Sequence, residues 1–413
     1  MRILLIHQYF LEEDDSGGSR WNEISKLWTS FGHEITVVAG MMHANGLEKR
    51  PEYKGKYFAR KQQGQVSVIR THVSESYNSG FLGRLWGYFS FMFSSLWAGL
   101  FLTKGKFDVV IVTSPPLFVG ITGVILSKVK RSPMVFEVRD LWPESAIDTG
   151  VLKNKIIINL SYLVEKLIYR NATLINVLTP AFYKVLEDKK NVRRSKLIMI
   201  PNAADFSLSE SIMSEFDRDD FRRAHNLEDY FVITYVGAHG VANYLEQILY
   251  ACLELKDTKV LFLLIGQGME KKRLVAKAQE LDLTNIRFLD PVPKSEVFKY
   301  ILASDIGASV LKKVDAFKTV YSNKTFDYFS CKVPVLMAID GVSRELVESA
   351  NAGVYVEPEN PSDLAKKVRY YIDNPNILEV QGINGYEYAK KNFDRVILAN
   401  EYISQIKRSI NHV

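Results

Sequence analysis

Short, unbroken apolar runs separated by helix-length segments set the rhythm of this chain. A first set occupies residues 3–6, 35–39, 109–113, 134–138, 173–178 and 196–200. A second occupies residues 232–236, 260–265, 286–289, 306–310 and 334–338. The runs are continuous rather than alternating, as in parallel strands covered on both faces by helices. Between the sets, residues 202–229 are polar and predict a linker with a helix. The pattern predicts an α/β protein of two doubly wound domains, 1–203 and 204–392, facing across a cleft. A last helix, 393–413, is expected to pack back on the first domain.

Residues 85–102, LWGYFSFMFSSLWAGLFL, break the rhythm with 18 uncharged positions. That length reaches the threshold for a membrane span. A span would separate the runs at 3–6 and 109–113, which read as strands of one sheet. A buried core helix and a helix lying in the membrane interface remain. Arg84, Trp86, Trp97 and Lys104 are suitable interfacial anchors for the second.

Composition narrows the class. Of 413 residues, 47% are hydrophobic and 12% aromatic, which excludes a disordered chain. Two cysteines, Cys252 and Cys331, build neither a disulfide framework nor a zinc cluster, so a reducing, cytoplasmic compartment is expected. The chain opens directly on a strand, and no signal peptide is expected. A net charge of +6 without basic blocks interleaved with aromatics favours anionic phosphates or a membrane face over nucleic acid.

In open α/β sheets, ligands bind beyond the carboxyl ends of the strands. Three glycine loops fall there, each before a helix: Gly17-Gly18, Gly237 to Gly240 around Ala238-His239, and Gly266 to Gly268. Such loops offer free N–H groups and a helix N-terminus to a phosphate, though each alone is equally a plain turn. His239 is placed to donate to phosphate or sugar, or is a surface residue. Pro291 and Pro293 hold Val292 extended, leaving its backbone for a flat base edge. In SNKTFDYFSCKVPVLM, 322–337, Ser322 and Asn323 are predicted helix caps. Lys324 and Asp327 lie one turn apart, either as a surface ion pair or as a clamp for a nucleoside diphosphate. In the clamp, the cation meets the diphosphate and the carboxylate the ribose hydroxyls. The acidic runs Glu12 to Asp15 and Asp217 to Asp219 read as solvated surface, the first bordering the cleft.

Four stretches carry a resemblance: GGSRWNEIS, VRDLWPESA (138–146), IPNAADF (200–206) and SNKTFDYFSCKVPVL. They resemble the retaining group 1 (family 4) glycosyltransferases of GT-B fold, built from two Rossmann-like domains. The chain looks most like bacterial O-antigen and capsule transferases of the N-acetyl-L-fucosamine type. The resemblance implies that Asp327 binds ribose, Lys324 neutralises the diphosphate, Val292 meets the base and Gly17-Gly18 approaches from the first domain. Gly240, Gly266 and Gly268 would line the donor pocket. Three departures stand out. Thr319 replaces the first of two glutamates, Arg139-Asp140 replaces a His-Asp pair near the acceptor, and Lys332 replaces a glycine. The implied reaction moves a sugar from a UDP-sugar to a lipid-linked saccharide at the inner membrane face, with Lys324, Arg139 and Asp140 at the chemistry and no metal. A UDP-sugar epimerase of the same fold and a non-catalytic sugar-nucleotide-binding subunit are the alternatives.

Overall fold

The computed structural model describes residues 1–411 except 14, 16–18, 43–48, 79 and 149–151. The side chains of 77, 78, 80–82, 84 and 411 are likewise outside the described residues. Two units divide the chain: Met1–Pro201 with Val396–Val413, and Asn202–Arg395.

The first unit is built on eight strands: β1 Arg2–His7, β2 Glu34–Gly40, β3 Phe58–Gln63, β4 Val66–Thr71, β5 Val109–Thr113, β6 Met134–Val138, β7 Leu174–Val177 and β8 Leu197–Met199. Their order is β3-β4-β2-β1-β5-β6-β7-β8. Every pairing is parallel except β3 with β4. Every residue of β5 and β6 is buried, which is why these runs are apolar without alternation.

Three helices form one layer on this sheet: Gly80–Phe101, Val119–Lys130 and Lys155–Asn171. Small residues let them approach. A Cβ on Gly99 would sit 2.4 Å from Leu126 Cδ1, and one on Gly120 2.4 Å from Ile168 Cδ1. The hydroxyl of Thr122 donates to the Met92 carbonyl across the first seam at 3.0 Å. Residues 85–102 therefore belong to a two-faced helix. Phe91, Ser95 and Ala98 are buried, whereas Trp86, Phe93, Trp97 and Phe101 are exposed. Among the described residues no helix is long and apolar enough to cross a membrane. The anchor Arg84 has its side chain outside the described residues. The helix Arg395–Asn411 also packs here. Tyr402 lies against Trp21 and Trp28, and Trp28 Nε1 donates to the Ala399 carbonyl at 2.9 Å.

The second unit is an all-parallel sheet of β9 Phe231–Val236, β10 Val260–Ile265, β11 Ile286–Leu289, β12 Ile306–Val310, β13 Val335–Ala338 and β14 Gly353–Tyr355, in the order β11-β10-β9-β12-β13-β14. The polar stretch before it contains two short helices, Phe206–Met213 and Arg218–Ala224. Asp217 caps the second by accepting from the Asp220 N–H at 2.9 Å, and residues 217–219 are exposed.

The reading of Glu12 as solvated surface is corrected. Its carboxylate is buried among Tyr53, Gln63, Lys61 and Arg70. Tyr53 Oη donates at 2.6 Å, and Arg70 Nε stands 2.9 Å away as an ion pair without hydrogen-bond alignment. The two strands that carry Gln63, Lys61 and Arg70, β3 and β4, lay outside the predicted set, so the carboxylate had no visible partner in the sequence. Burial pushes its pKa up, but Arg70, Tyr53 and Lys61 outweigh this and hold it below the usual glutamate value. Glu12→Ala would strand Arg70, itself almost fully buried. The expected cost is about 3 kcal/mol or more of unfolding free energy in urea titration. A change under about 1 kcal/mol would show that the pair is only a surface contact.

Candidate active site

In the second unit the loops after β9 and β10 lie against each other. The Gly237 N–H donates to Ile265 O at 3.0 Å and the His239 N–H to Gln267 O at 2.9 Å. The Glu270 N–H returns to His239 O at 3.0 Å. This contact requires glycine. Gly266 has φ +151°, and a Cβ there would stand 1.9 Å from Gly237 O. A Cβ on Gly268 would stand 2.4 Å from His239 O. Gly240 is different: its added Cβ would meet only Asn243 Oδ1, at 3.6 Å.

Lys271, the first residue of the helix Lys271–Glu280, locks the loops from below. Its ammonium donates to Gly266 O at 2.9 Å, Leu289 O at 2.8 Å and Asp290 Oδ1 at 2.7 Å. This cation escaped the sequence reading because it sits three residues past the glycine loop, in a run of charged residues typical of an exposed helix. Its fixed bonds make it a strut.

The surface alternative for His239 is corrected. Its ring is fully buried, 6.1 Å from the centroids of both Tyr235 and Phe288, and neither ring nitrogen has a protein partner. Burial, helped by Lys271, lowers its pKa to about 4, so the ring is neutral near pH 7. The ring is therefore packed within the loops rather than at the surface. Its neighbours in sequence, two glycines, pointed to an open loop; the packing of Phe288 from β11 closes it.

The helix Asn323–Ser330 begins beside these loops. Lys324 is half-buried, with Nζ 5.0 Å from the Tyr235 ring centroid. Its Cε lies 3.4 Å from where a Gly237 Cβ would be. Burial brings its pKa down to about 8, against an upward pull from Asp327. Lys324 and the Gly237 loop thus form one surface, with half-buried Asp327 a turn further on. The capping expectation is corrected. Ser322 occupies the N-cap position, but its hydroxyl makes no cap bond. It accepts from Ser309 Oγ at 2.6 Å, and its N–H donates to Ser343 Oγ at 3.0 Å. Asn323 is exposed and accepts from Asn202 Nδ2 at 2.5 Å. Thr319 ends a short 3-10 turn and donates to Ala316 O at 2.7 Å. Val292 is half-exposed between Pro291 and Pro293.

Tyr328 fixes this helix. Its buried hydroxyl can donate to Thr234 O or Ala308 O, each 3.0 Å away, and accepts from the Val236 N–H at 3.3 Å. Its ring fills the space over Gly307, where a Cβ would stand 2.4 Å from it. The tyrosine beside an acidic residue was visible in the sequence; its role as a strut needed β9 and β12.

In the first unit, Gly17 and Gly18 lie outside the described residues. The helix after them, Arg20–Ser30, is held at its start by Glu137 near the end of β6. This fully buried carboxylate accepts from Arg20 Nε at 3.1 Å, Trp21 Nε1 at 2.8 Å, Asn176 Nδ2 at 2.9 Å and Thr113 Oγ1 at 3.3 Å. Arg20 also donates to the carbonyls of Ile200 and Pro201. Arg139 and Asp140 follow β6 directly. Burial lowers the Arg139 pKa, opposed by Glu137 and reinforced by Arg20. Burial raises that of Asp140, despite a 2.8 Å bond from Ser145 Oγ. His7, at the end of β1, is buried close enough to feel the Arg139 charge. Glu137 and His7 went unnoticed because a polar residue within or at the end of an apolar run looks like a strand position. Arg20 went unnoticed because its acceptors, Glu137 and the carbonyls of 200 and 201, are distant in sequence.

Tyr328→Phe removes one oxygen and leaves two carbonyls and an N–H of the strand ends without it. The expected loss is about 1–3 kcal/mol of stability, read as a lower thermal midpoint of the second unit. An unchanged midpoint would mean the strand ends do not depend on the hydroxyl.

Known proteins share this architecture. The family model described as glycosyl transferases group 1 matches residues 217–388, and the glycosyl transferase 4-like domain matches residues 17–203. The putative colanic acid biosynthesis glycosyl transferase WcaI of Escherichia coli is 22% identical, over 98% of this chain and 100% of its own. Among solved structures, sucrose-phosphate synthase from Thermosynechococcus elongatus matches with a TM-score of 0.76 at 16% identity, covering 100% of both chains. Anabaena HepE in complex with UDP-glucose matches with a TM-score of 0.70 at 17% identity, again over 100% of both. These matches give two Rossmann-like domains of the GT-B type, a glycosyl transferase 4-like domain over residues 17–203 and a group 1 glycosyltransferase domain over residues 217–388.

Proposed function

We propose that the chain is a retaining transferase. It moves an N-acetylated amino sugar, such as N-acetyl-L-fucosamine, from a UDP-sugar to a polyprenyl-diphosphate-linked saccharide in surface-polysaccharide assembly. The observation that carries the donor half is the juxtaposition of Lys324 with the Gly237 loop, one turn from Asp327. A half-buried lysine beside a glycine loop suits a diphosphate, and a carboxylate beyond it suits vicinal ribose hydroxyls. HepE, bound to UDP-glucose, supports a uridine donor, and WcaI supports polysaccharide assembly. The exposed aromatic face within residues 85–102 motivates a lipid-linked acceptor and a seat on the inner face of the cytoplasmic membrane.

In this reading the glycosidic carbon passes through an oxocarbenium-like transition state while the diphosphate departs. Lys324 stabilises the growing negative charge, since the Gly237 and His239 N–H groups are bonded within the loops. The departing phosphate helps deprotonate the acceptor hydroxyl on the same face, so the configuration is retained and the reading calls for no metal. Arg139 and Asp140 would orient the acceptor. Thr319 takes the position of the glutamate that usually contacts the donor sugar, leaving sugar selection to other groups.

Two measurements test the reading. Thermal stabilisation across UDP-, GDP- and dTDP-sugars should single out the uridine donors, because a ligand of the native state raises its stability. Stabilisation by GDP- or dTDP-sugars alone would refute the uridine assignment. UDP release should require a lipid-linked acceptor. Conversion of a UDP-sugar without acceptor would select an epimerase, and binding without turnover a non-catalytic subunit.

The Lys324 charge gives a pH signature. Its pKa is about 8 in the free protein, and a bound diphosphate raises it. UDP affinity should fall above that pKa, by at most about tenfold per pH unit. Lys324→Met should weaken UDP binding and abolish the break. Persistence of the break in the variant would assign it to another group.

A further inference from the structure

The helical layer of the first unit carries a second apolar stripe that neither the catalytic reading nor residues 85–102 account for. On the helix Lys155–Asn171, Ile156, Leu160, Leu163 and Leu167 are all exposed, Ile156 at 78%. Their spacing of four, three and four residues puts them on one face. On Gly80–Phe101, Trp86, Phe93, Trp97 and Phe101 are spaced seven, four and four, again one face. The helix Val119–Lys130 joins the two helices through the Gly99–Leu126 and Gly120–Ile168 contacts, so both belong to one layer, with the Trp97 stripe on its outer flank beside Phe58 of β3. Ten of the twenty large hydrophobic residues exposed among the described residues are on these three helices. A water-facing concentration of that kind marks a binding surface.

Charge identifies the occupant. No Asp or Glu occurs from residue 80 to 107 or from 109 to 136. The single carboxylate on the helix Lys155–Asn171, Glu165, is buried and turned to Lys190 at 2.7 Å. Exposed cations flank the stripes: Lys104 and Lys106, Lys128, and Lys155, Lys166 and Arg170. Three helices with an apolar face, exposed cations and no exposed carboxylate of their own match lipid chains under anionic headgroups. A second copy of the chain would instead set two like-charged faces against each other.

We infer that the helices Gly80–Phe101 and Lys155–Asn171 together form one face that docks on an anionic bilayer. The inference rests on the membrane reading of residues 85–102 and extends it to a second helix. Two connections join the face to the Arg139–Asp140 segment. Trp142 packs on Phe118 at 5.6 Å and Phe118 on Phe89 at 4.7 Å. Lys190 bridges Glu165 to Glu144, next to the Ser145 that holds Asp140. Docking by both helices would therefore seat this segment firmly near the lipid surface.

The test is co-sedimentation of the full chain with phosphatidylcholine vesicles, with and without phosphatidylglycerol. The native chain should pellet with the mixed vesicles and weakly with phosphatidylcholine alone. Leu160→Glu with Leu163→Glu should weaken binding at least about tenfold, as should Phe93→Glu with Trp97→Glu. Both pairs are substitutions at surface positions, and an unchanged melting curve checks the fold. Lys155→Glu with Lys166→Glu, which leaves the apolar stripe intact, should remove the preference for phosphatidylglycerol. If the Leu160/Leu163 pair binds like the native chain while the Phe93/Trp97 pair does not, the second stripe is overturned and the reading of residues 85–102 survives. Failure of the native chain to bind any vesicle overturns both. A native dimer that the Leu160/Leu163 pair dissociates, without vesicle binding, assigns the face to self-association instead.

Discussion

The hydroxyl of Tyr328 is the contact on which the donor-side geometry depends. Parallel strands end with carbonyl and N–H groups that the ladder no longer satisfies. At β9 and β12 one phenol oxygen accepts from the Val236 N–H and donates to the Thr234 or the Ala308 carbonyl, which anchors the helix Asn323–Ser330 against these strands. Lys324 and Asp327 take their places from this anchor. The bare Cα of Gly307 is part of the same constraint, because any side chain there would collide with the ring that carries the hydroxyl.

The first unit solves an equivalent problem with charge. Glu137 collects four donors from β5, β7 and the start of the helix Arg20–Ser30. A buried carboxylate with that many partners is satisfied, but loss of any one donor exposes its desolvation cost. Because Arg20 also reaches the carbonyls of residues 200 and 201, one guanidinium joins the first helix, β6 and the end of the unit. Arg139, two residues beyond Glu137, sits where this carboxylate already has its bonds and where burial disfavours its charge. That is a suitable setting for a cation that meets an incoming anion.

The central strands were legible because burial on both faces leaves an unbroken apolar run. The strands β3, β4 and β14 were not. β3 reads FARKQQ, an edge strand without an apolar run, and its antiparallel pairing with β4 has no signature in a pattern of parallel runs. β14 has only three residues. In the site, glycine spacing and the Lys324–Asp327 turn were visible because they are local. Glu12, Glu137, Lys271 and Tyr328 act through partners distant in sequence, and only the fold brings those partners to them. The same reason explains His239: two flanking glycines are local, whereas the Phe288 that helps enclose it comes from another strand.

Two lysines near the glycine loops show how environment divides identical side chains. Lys271 has three oxygen acceptors within 2.9 Å, two of them backbone carbonyls, and its charge completes the loop structure itself. Lys324 has instead the face of Tyr235 at 5.0 Å and a pKa drawn down to about 8 by burial. A cation over an aromatic face keeps attraction without fixed hydrogen bonds, so its donors stay directed by whatever anion arrives. Diphosphate binding would restore the charge that burial opposes. The cation that holds the loop and the cation proposed to meet the diphosphate are therefore distinct, and removing the second leaves the loop's own bonds intact.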